Sequence, residues 1–404
     1  MNQPVTELSS TWLTRLAVVQ ILRQARFDRR ELSGSLGDLG TFLPLIVGMS
    51  AHNGLEFGPA LFFAGLFSVI TGLLFPIPMP VQPMKAIAAI ALVQGLSVPE
   101  ILAAGMAVGG VVLLAGVLGL VDWLDRAVPR SVVRGIQLTV GLGLMLKGIG
   151  LVLGTGQWLG PDSYLTAGIA AVGVLILFSS RTIPVALLLV AAGFALALWL
   201  HPEIVTELGV TVNLPRWSLP SWADFVEAFP KAALPQIPLT LLNSVIAVCA
   251  LSADLFPGRA ASPRKVAVSV GLMNLVGCCF GSMPLCHGAG GLAGHYFFGA
   301  RTNGSILFLG AVKMLLALLF GGSLMAMCVA FPASILGILM AFAGMQLALV
   351  CRDQTRTGEA FVMLATAACG LALNNVAWAF LLGLALAWGL RLRLFPLDPS
   401  EKPE

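Results

Sequence analysis

Phe75-Pro76-Ile77-Pro78-Met79-Pro80-Val81-Gln82-Pro83-Met84-Lys85 opens onto an apolar run at residues 86–93. The prolines at 76, 78, 80 and 83 exclude a helix here, because each lacks an amide donor and restricts the residue before it. Past Pro83 the sequence turns Ala- and Ile-rich and predicts a short helix of about two or three turns. An extended stretch leading into a half-length helix, in a chain this apolar, reads as a discontinuous membrane element. Such elements place free helix N-terminal amides near the bilayer midplane, where they hold an anion.

The surrounding composition supports a membrane setting. Of 404 residues, 58% are hydrophobic and 10% are charged, against about 25% charged in soluble domains. The apolar runs have helix-spanning length and lack the dyad alternation of an outer-membrane barrel. The seven cysteines (Cys249, Cys278, Cys279, Cys286, Cys328, Cys351 and Cys369) lie in or beside apolar runs without metal-ligand spacing. They read as packing residues, with no disulfide, metal or cofactor implied. Residues 12–30 are amphipathic and Arg-rich, which fits an interfacial helix better than a cleaved signal peptide.

Working outward, the sequence divides into fourteen hydrophobic segments: 34–50, 58–75, 81–95, 98–121, 131–153, 164–180, 184–200, 234–256, 262–281, 287–298, 303–321, 331–350, 358–374 and 376–393. The third and tenth are too short to cross as helices alone. Residues 201–233 form a long extracytoplasmic linker, with a surface helix expected from Ser221 to Phe229. With both termini cytoplasmic, 18 of the 23 basic residues fall inside: Arg15, Arg23, Arg26, Arg29, Arg30, Arg126, Arg130, Arg134, Arg181, Arg259, Arg264, Lys265, Arg301, Arg352, Arg356, Arg391, Arg393 and Lys402. Only Arg216 and Lys231 fall outside, while Lys85, Lys147 and Lys313 lie within segments. That bias is the positive-inside pattern.

The second half repeats the first. Met79-Pro80 matches Met283-Pro284 at an offset of 204, and Pro129, Ser131 and Gly141 match Pro332, Ser334 and Gly344 at 203. Seven segments per copy is odd, so the copies must have opposite membrane orientation. The expected fold is therefore an all-α integral membrane protein of about 14 transmembrane segments in a 7+7 inverted repeat, with short broken helices at segments 3 and 10. Its parts are a cytoplasmic segment 1–33, a first repeat 34–200, the linker 201–233, a second repeat 234–393 and a tail 394–404. Inverted repeats with broken helices at matching positions are a transporter architecture.

The partner of the opening stretch is Phe280-Gly281-Ser282-Met283-Pro284-Leu285-Cys286-His287-Gly288-Ala289-Gly290-Gly291. Its glycines leave amides uncovered at the start of the tenth segment. Two half-helices entering from opposite sides would aim their positive ends at one point, suiting a small oxyanion. Taken singly, each stretch reads equally well as a kink between packed helices; pairing at repeat-related positions favours a site. Asp38, near the start of the first segment, is a candidate for proton coupling, with helix capping as its structural alternative. Gln236, Thr240, Asn243 and Ser244 fall on neighbouring helical turns and can donate to a ligand or to another helix. Lys85, at a helix start that disfavours a cation, reads as attracting the anion. His287 can bind substrate, relay a proton or hold a backbone carbonyl; Lys147 and Lys313 read as snorkelling or paired.

On four motifs the chain resembles the molybdate transporter family, relatives of the sulfate permeases. These are Gly37-Asp38-Leu39-Gly40-Thr41, Pro80-Val81-Gln82-Pro83-Met84-Lys85, Leu239-Thr240-Leu241-Leu242-Asn243-Ser244 and Met283-Pro284-Leu285-Cys286-His287-Gly288-Ala289-Gly290-Gly291. The resemblance covers essentially the whole chain, and the sequence stops about a dozen residues after its last segment, as that branch does. It implies a core domain (34–121 plus 234–321) moving against a gate domain (131–200 plus 331–393). It also implies substrate held by Thr41, Gln82, Pro83, Met84, Lys85, Thr240, Asn243, Ser244, Cys286, His287, Gly288, Ala289 and Gly290. The residue chemistry alone gives "small oxyanion"; the resemblance gives molybdate, with sulfate or tungstate as alternatives of similar donor demand.

The reading is thus a secondary active transporter in a plasma (bacterial inner) membrane, not an enzyme, working by alternating access with proton or other ion coupling through Asp38 or His287. Its partners are the oxyanion and the bilayer, with a homodimer allowed by analogy and no nucleic acid. A nucleobase or bicarbonate carrier of the same fold is the first competitor. Nucleobase carriers usually place an acid in the eighth or tenth segment, where this chain has Asn243 and His287. A channel or membrane enzyme is the second. No GxxxxGK[ST] loop is present, which excludes ATP-driven transport in one chain, and no catalytic constellation stands out.

Overall fold

The computed structural model describes residues 19–178, 185–207, 209, 216–392 and 394. The start of the expected interfacial helix, Arg15, Arg181, Arg393, Lys402 and nearly all of the tail 394–404 lie outside the described residues. Among those described, the helix expected through residues 12–30 is interrupted at 24–28. Asp28 explains the break: its Oδ1 accepts from the amides of Arg30 and Glu31 at 2.9 and 3.0 Å and starts a new helix, as an N-cap does.

The chain is almost wholly helical. The first half holds α1 (Arg29–Ser35), α2 (Leu39–Asn53), α3 (Phe57–Leu74), β1 (Gln82–Pro83), α4 (Lys85–Gln94), α5 (Val98–Val117), α6 (Arg130–Gly154), α7 (Tyr164–Phe178) and α8 (Val185–Leu200). The second holds α9 (Trp222–Ala228), α10 (Leu234–Leu239), α11 (Val248–Leu255), α12 (Pro263–Gly277), β2 (Leu285–Cys286), α13 (Ala289–Phe297), α14 (Gly304–Phe320), α15 (Ala333–Leu349), α16 (Thr357–Ala372) and α17 (Val376–Arg391). Six helical runs among the described residues are long and apolar enough to cross a membrane, or seven if α1 and α2, bent by 41°, form one span. The protein is an integral membrane protein.

The linker helix α9 starts at a Ser221 capping box as the sequence suggests. It does not end before the eighth segment, however. The run Trp222–Leu255 is one helix of 34 residues, wound as π-helix at Phe229–Ala233 and Thr240–Ala247. Pro230, Pro235 and Pro238 lack the amides that would close α-turns, so wider turns are accommodated.

Antiparallel pairing of β1 with β2 joins the two interrupted stretches, with Gln82 opposite Cys286 and Pro83 opposite Leu285. Met84 N then donates to Pro284 O at 2.8 Å. Helix α4 begins right after β1 and α13 shortly after β2, at 10 and 9 residues, so each is about half a bilayer long. Around them α3 packs on α14, α5 on α12 and α6 on α15. Small residues set these approaches: a Cβ on Gly141 would come 2.8 Å from Gly344 O, and one on Gly344 2.4 Å from Gly141 O.

A buried ion cluster ties three of these elements. Arg134 of α6, 2% exposed, reaches Asp254 of α11 and Asp353, just past α15, each at 2.6 Å. Its Nη1 also donates to Gln137 Oε1 at 2.9 Å. Arg130, 67% exposed, lies 3.1 Å from both carboxylates. Removing the buried guanidinium takes charge-assisted bonds from two partly exposed carboxylates that keep Arg130, a loss of about 1.5–3 kcal/mol, whereas an exposed pair is worth about 0–1 kcal/mol. Arg134→Ala should therefore lower thermal stability in detergent far more than Arg130→Ala. Equal melting shifts for the two variants would remove this assignment.

Candidate functional site

The opening stretch runs through the molecule's interior, with Phe75, Ile77, Met79, Val81 and Met84 all buried. Its carbonyls take donors from the second half of the chain. Arg259 Nη1 donates to Pro76 O at 3.3 Å, His295 Nδ1 to Pro78 O at 3.1 Å and His287 Nδ1 to Pro80 O at 2.7 Å. Donation to a carbonyl fixes the proton of His287 on Nδ1, so Nε2 accepts from Ser269 Oγ at 3.0 Å. Both ring nitrogens are therefore occupied, and the ring stands edge-on to Phe75 at 5.9 Å between centroids. Of the three uses open to His287 in the sequence, the structure displays the hold on a backbone carbonyl.

Asn274 of α12, unmarked in the sequence, plays the matching part for β2. Its Nδ2 donates to Leu285 O at 2.7 Å and its Oδ1 accepts from Leu285 N at 2.8 Å. A buried carboxamide beside a strand is the only signal that the sequence offered for it.

At the half-helix starts the expectation needs one correction. The amides after Pro83 are not all uncovered: Gln236 Oε1 accepts from Ala86 N at 2.8 Å and Ile87 N at 3.3 Å. Its Nε2 donates to Thr240 Oγ1 at 2.8 Å. The π-turns carry Gln236 onto the end of α4 and make it a cap. At α13 the open amides are real, since Ala289, Gly290 and Gly291 N–H have no hydrogen-bond partner among the described residues.

Asp38 occupies the N-cap position of α2 yet makes no side-chain cap bond. Its carboxylate accepts instead from Thr41 Oγ1. The surroundings also orient the Gln82 carboxamide, whose NH2 donates to Asp38 Oδ1 and Oδ2 at 3.0 and 2.9 Å while its Oε1 accepts from Gly288 N at 3.2 Å. Asp38 thus bridges α2, β1 and the start of α13. Lys313 lines the same small cavity as Asp38. Lys313 Nζ also lies 3.6 Å from the centre of the Phe42 ring. A cavity of about 10 Å³, room for one water, separates Asp38, Lys313 and His295.

The remaining residues singled out from the sequence gather around this point. Lys85 Nζ is buried with no hydrogen-bond partner, and so is Asn243 Oδ1. Ser244 is buried, and the Cys286 thiol faces Pro83 O at 4.0 Å. Pro83 and Met84 serve through backbone pairing, and Thr41 and Thr240 through bonds to Asp38 and Gln236. Lys147 lies apart from this group in sequence and segment. Buried donors left open beside helix N-termini, here the Lys85 ammonium, can receive a small anion.

Comparison with solved structures defines the class first. The fold resembles the transmembrane domain of a cyanobacterial bicarbonate transporter, BicA (TM-score 0.58, 16% identity, 89% of this chain and 96% of that one). It also resembles murine Solute Carrier 26 family member A9, an anion transporter in the inward-facing state (TM-score 0.64, 13% identity, 97% and 73%). At these identities the likeness is one of fold alone. In sequence, residues 30–144 and 228–347 match the family described as "Molybdate transporter of MFS superfamily". Molybdate transporters 1 and 2 of Arabidopsis thaliana are 37% and 38% identical over 92% and 90% of this chain and 91% and 87% of their own lengths. Molybdate transporter 1 of Chlamydomonas reinhardtii is 35% identical, covering 89% and 91%. The chain belongs to the molybdate transporter family.

The geometry separates stability from binding. Asn274→Leu leaves the Leu285 N–H and C=O buried and unpaired, each costing about 1–3 kcal/mol, and should lower the melting temperature strongly. Asn243→Ala removes an oxygen with no partner and should change it little. A reversed order in thermal unfolding would contradict these roles.

Proposed function

We propose that this protein is a secondary active transporter of a small tetrahedral oxyanion, molybdate, working by alternating access. The observation that carries the reading is Lys85: its ammonium is buried without a hydrogen-bond partner, beside two half-helix starts joined by the β1–β2 pair. A bare buried ammonium is costly, and an anion with several acceptor oxygens resolves it. The open amides of Ala289, Gly290 and Gly291 and the positive end of α13 add neutral donors for the same ligand. Gln82, Thr41, Thr240, Ser244, Cys286, His287 and Gly288 hold these groups in place around it.

The 7+7 inverted repeat belongs to this proposal. Exchange of the two halves turns the α3–α14 contact into α12–α5, and leaves α6–α15 and β1–β2 unchanged as pairs. Those are the contacts observed, which supports a two-fold pseudo-symmetry and a division into core (34–121 plus 234–321) and gate (131–200 plus 331–393). Coupling falls to Asp38, which shares a small cavity with Lys313, in preference to His287 with both nitrogens bonded. A plasma-membrane setting with cytoplasmic termini follows from the charge bias. Molybdate is chosen over sulfate and tungstate on the names of the relatives.

Uptake of radiolabelled molybdate into proteoliposomes tests this, with sulfate, tungstate, uracil and bicarbonate as competitors. Molybdate should accumulate, and tungstate should compete best. Lys85→Ala should weaken apparent affinity by about tenfold or more, the scale of one charge-assisted bond. Asp38→Asn should flatten the pH dependence of uptake. Transport of uracil or bicarbonate without molybdate would overturn the assignment.

A further inference from the structure

The arginines that the charge count puts on one face are not spread evenly there. Arg126 of the short helix Leu120–Ala127 and Arg130 at the start of α6 meet Arg356 beside the start of α16 and Arg391 at the end of α17 around one cleft of about 730 Å³. Glu359 is the one carboxylate among the residues lining the cleft, and the rest of the lining is largely apolar, with Trp388 part of it. Arg126 Nε bonds only its own helix, at Asp122 O, 3.0 Å. Arg130 shares the carboxylates of Asp254 and Asp353 with the buried Arg134. Arg356 and Arg391 have no ion pair among the described residues.

Three separate connections thus deliver their cations to one place, at the ends of apolar helices. Guanidinium forks match phosphate oxygens, and basic clefts between membrane helices take anionic headgroups. The apolar lining and Trp388, a side chain suited to the headgroup level, fit a ligand that brings its own hydrocarbon. We propose that this cleft, separate from the Lys85 site, binds the phosphate headgroup of an anionic phospholipid in the arginine-rich leaflet. A soluble phosphate ester shares the charge but makes no use of the apolar lining. The bound headgroup competes with Asp254 and Asp353 for Arg130, while the pairs of Arg134 stay intact.

Native mass spectrometry of the full chain in dodecyl maltoside, titrated with phosphatidylglycerol or phosphatidylcholine, tests the proposal. The wild type should retain phosphatidylglycerol preferentially, and the double variant Arg356→Gln/Arg391→Gln should lose about tenfold or more of that affinity, from two headgroup contacts. Arg23→Gln/Arg29→Gln, two exposed arginines of the same face outside the cleft, should lose about twofold or less. The single variant Arg391→Gln, with a loss of about threefold, serves if the double variant does not fold. Glycerol 3-phosphate, the headgroup chemistry without the chains, should fail to displace the lipid at equal concentration. Equal losses in the two double variants, undiminished binding by the cleft variants, or equal retention of phosphatidylcholine would overturn the site. Ready displacement by glycerol 3-phosphate would overturn the lipid as its ligand.

Discussion

A backbone that runs extended through a buried, apolar interior must have its polar groups paired from elsewhere, and the rest of this structure follows from that demand. Prolines keep residues 76–83 out of a helix and remove four of their amides, yet the carbonyls remain. Extended backbone turns alternate carbonyls the same way, and Pro76, Pro78 and Pro80 each find a donor in the other half of the chain: Arg259, His295 and His287. The two-residue ladder with Leu285–Cys286 completes the set. Without these partners each carbonyl would cost a few kcal/mol in this environment.

The same pairing fixes the positions of α4 and α13. Their starts are held by a short, fully bonded piece of backbone in place of flexible loops, with Gln236 capping one and Gln82 joining Asp38 to the other. Polar side chains on four elements are thereby used up on structure. Among the described residues around this point, what remains open includes the Lys85 ammonium, the Asn243 oxygen, His295 Nε2 and three amides at α13. That remainder, and not the number of polar residues nearby, defines the candidate site.

Away from this centre, acids near the ends of the two long paired helices do different work. Asp162, after α6, caps α15 by accepting from Ala333 N and Ser334 N at 3.0 and 2.8 Å. Asp353, after α15, binds Arg134 and Arg130 and shares them with Asp254 of α11. One end is closed within the α6–α15 pair, while the other is ionically tied to a third helix. Arg130 belongs both to this cluster and to the basic cleft beside it, so the two features are electrostatically joined.

The helices and the two interruptions were legible in the sequence because proline, glycine and long apolar runs act locally: each restricts its own backbone whatever surrounds it. The pairing of the stretch 75–85 with 280–291 was expected from their repeat-related positions, whereas Asp38 was marked only as an acid near the start of the first segment. The partners were not legible. His287 stood open among ligand, proton relay and carbonyl hold, and is a carbonyl donor on Nδ1; Gln236 stood open between ligand and helix contact, and caps α4; Asn274 drew no notice and splints β2. A side chain's hydrogen-bond capacity is written in its type, but which groups consume it depends on residues brought near by folding, across separations of 207 positions for His287 and Pro80. The sequence by itself determined where the backbone must break. Only the tertiary structure decided which polar groups were left open, since that is what remains after all the buried pairings are made.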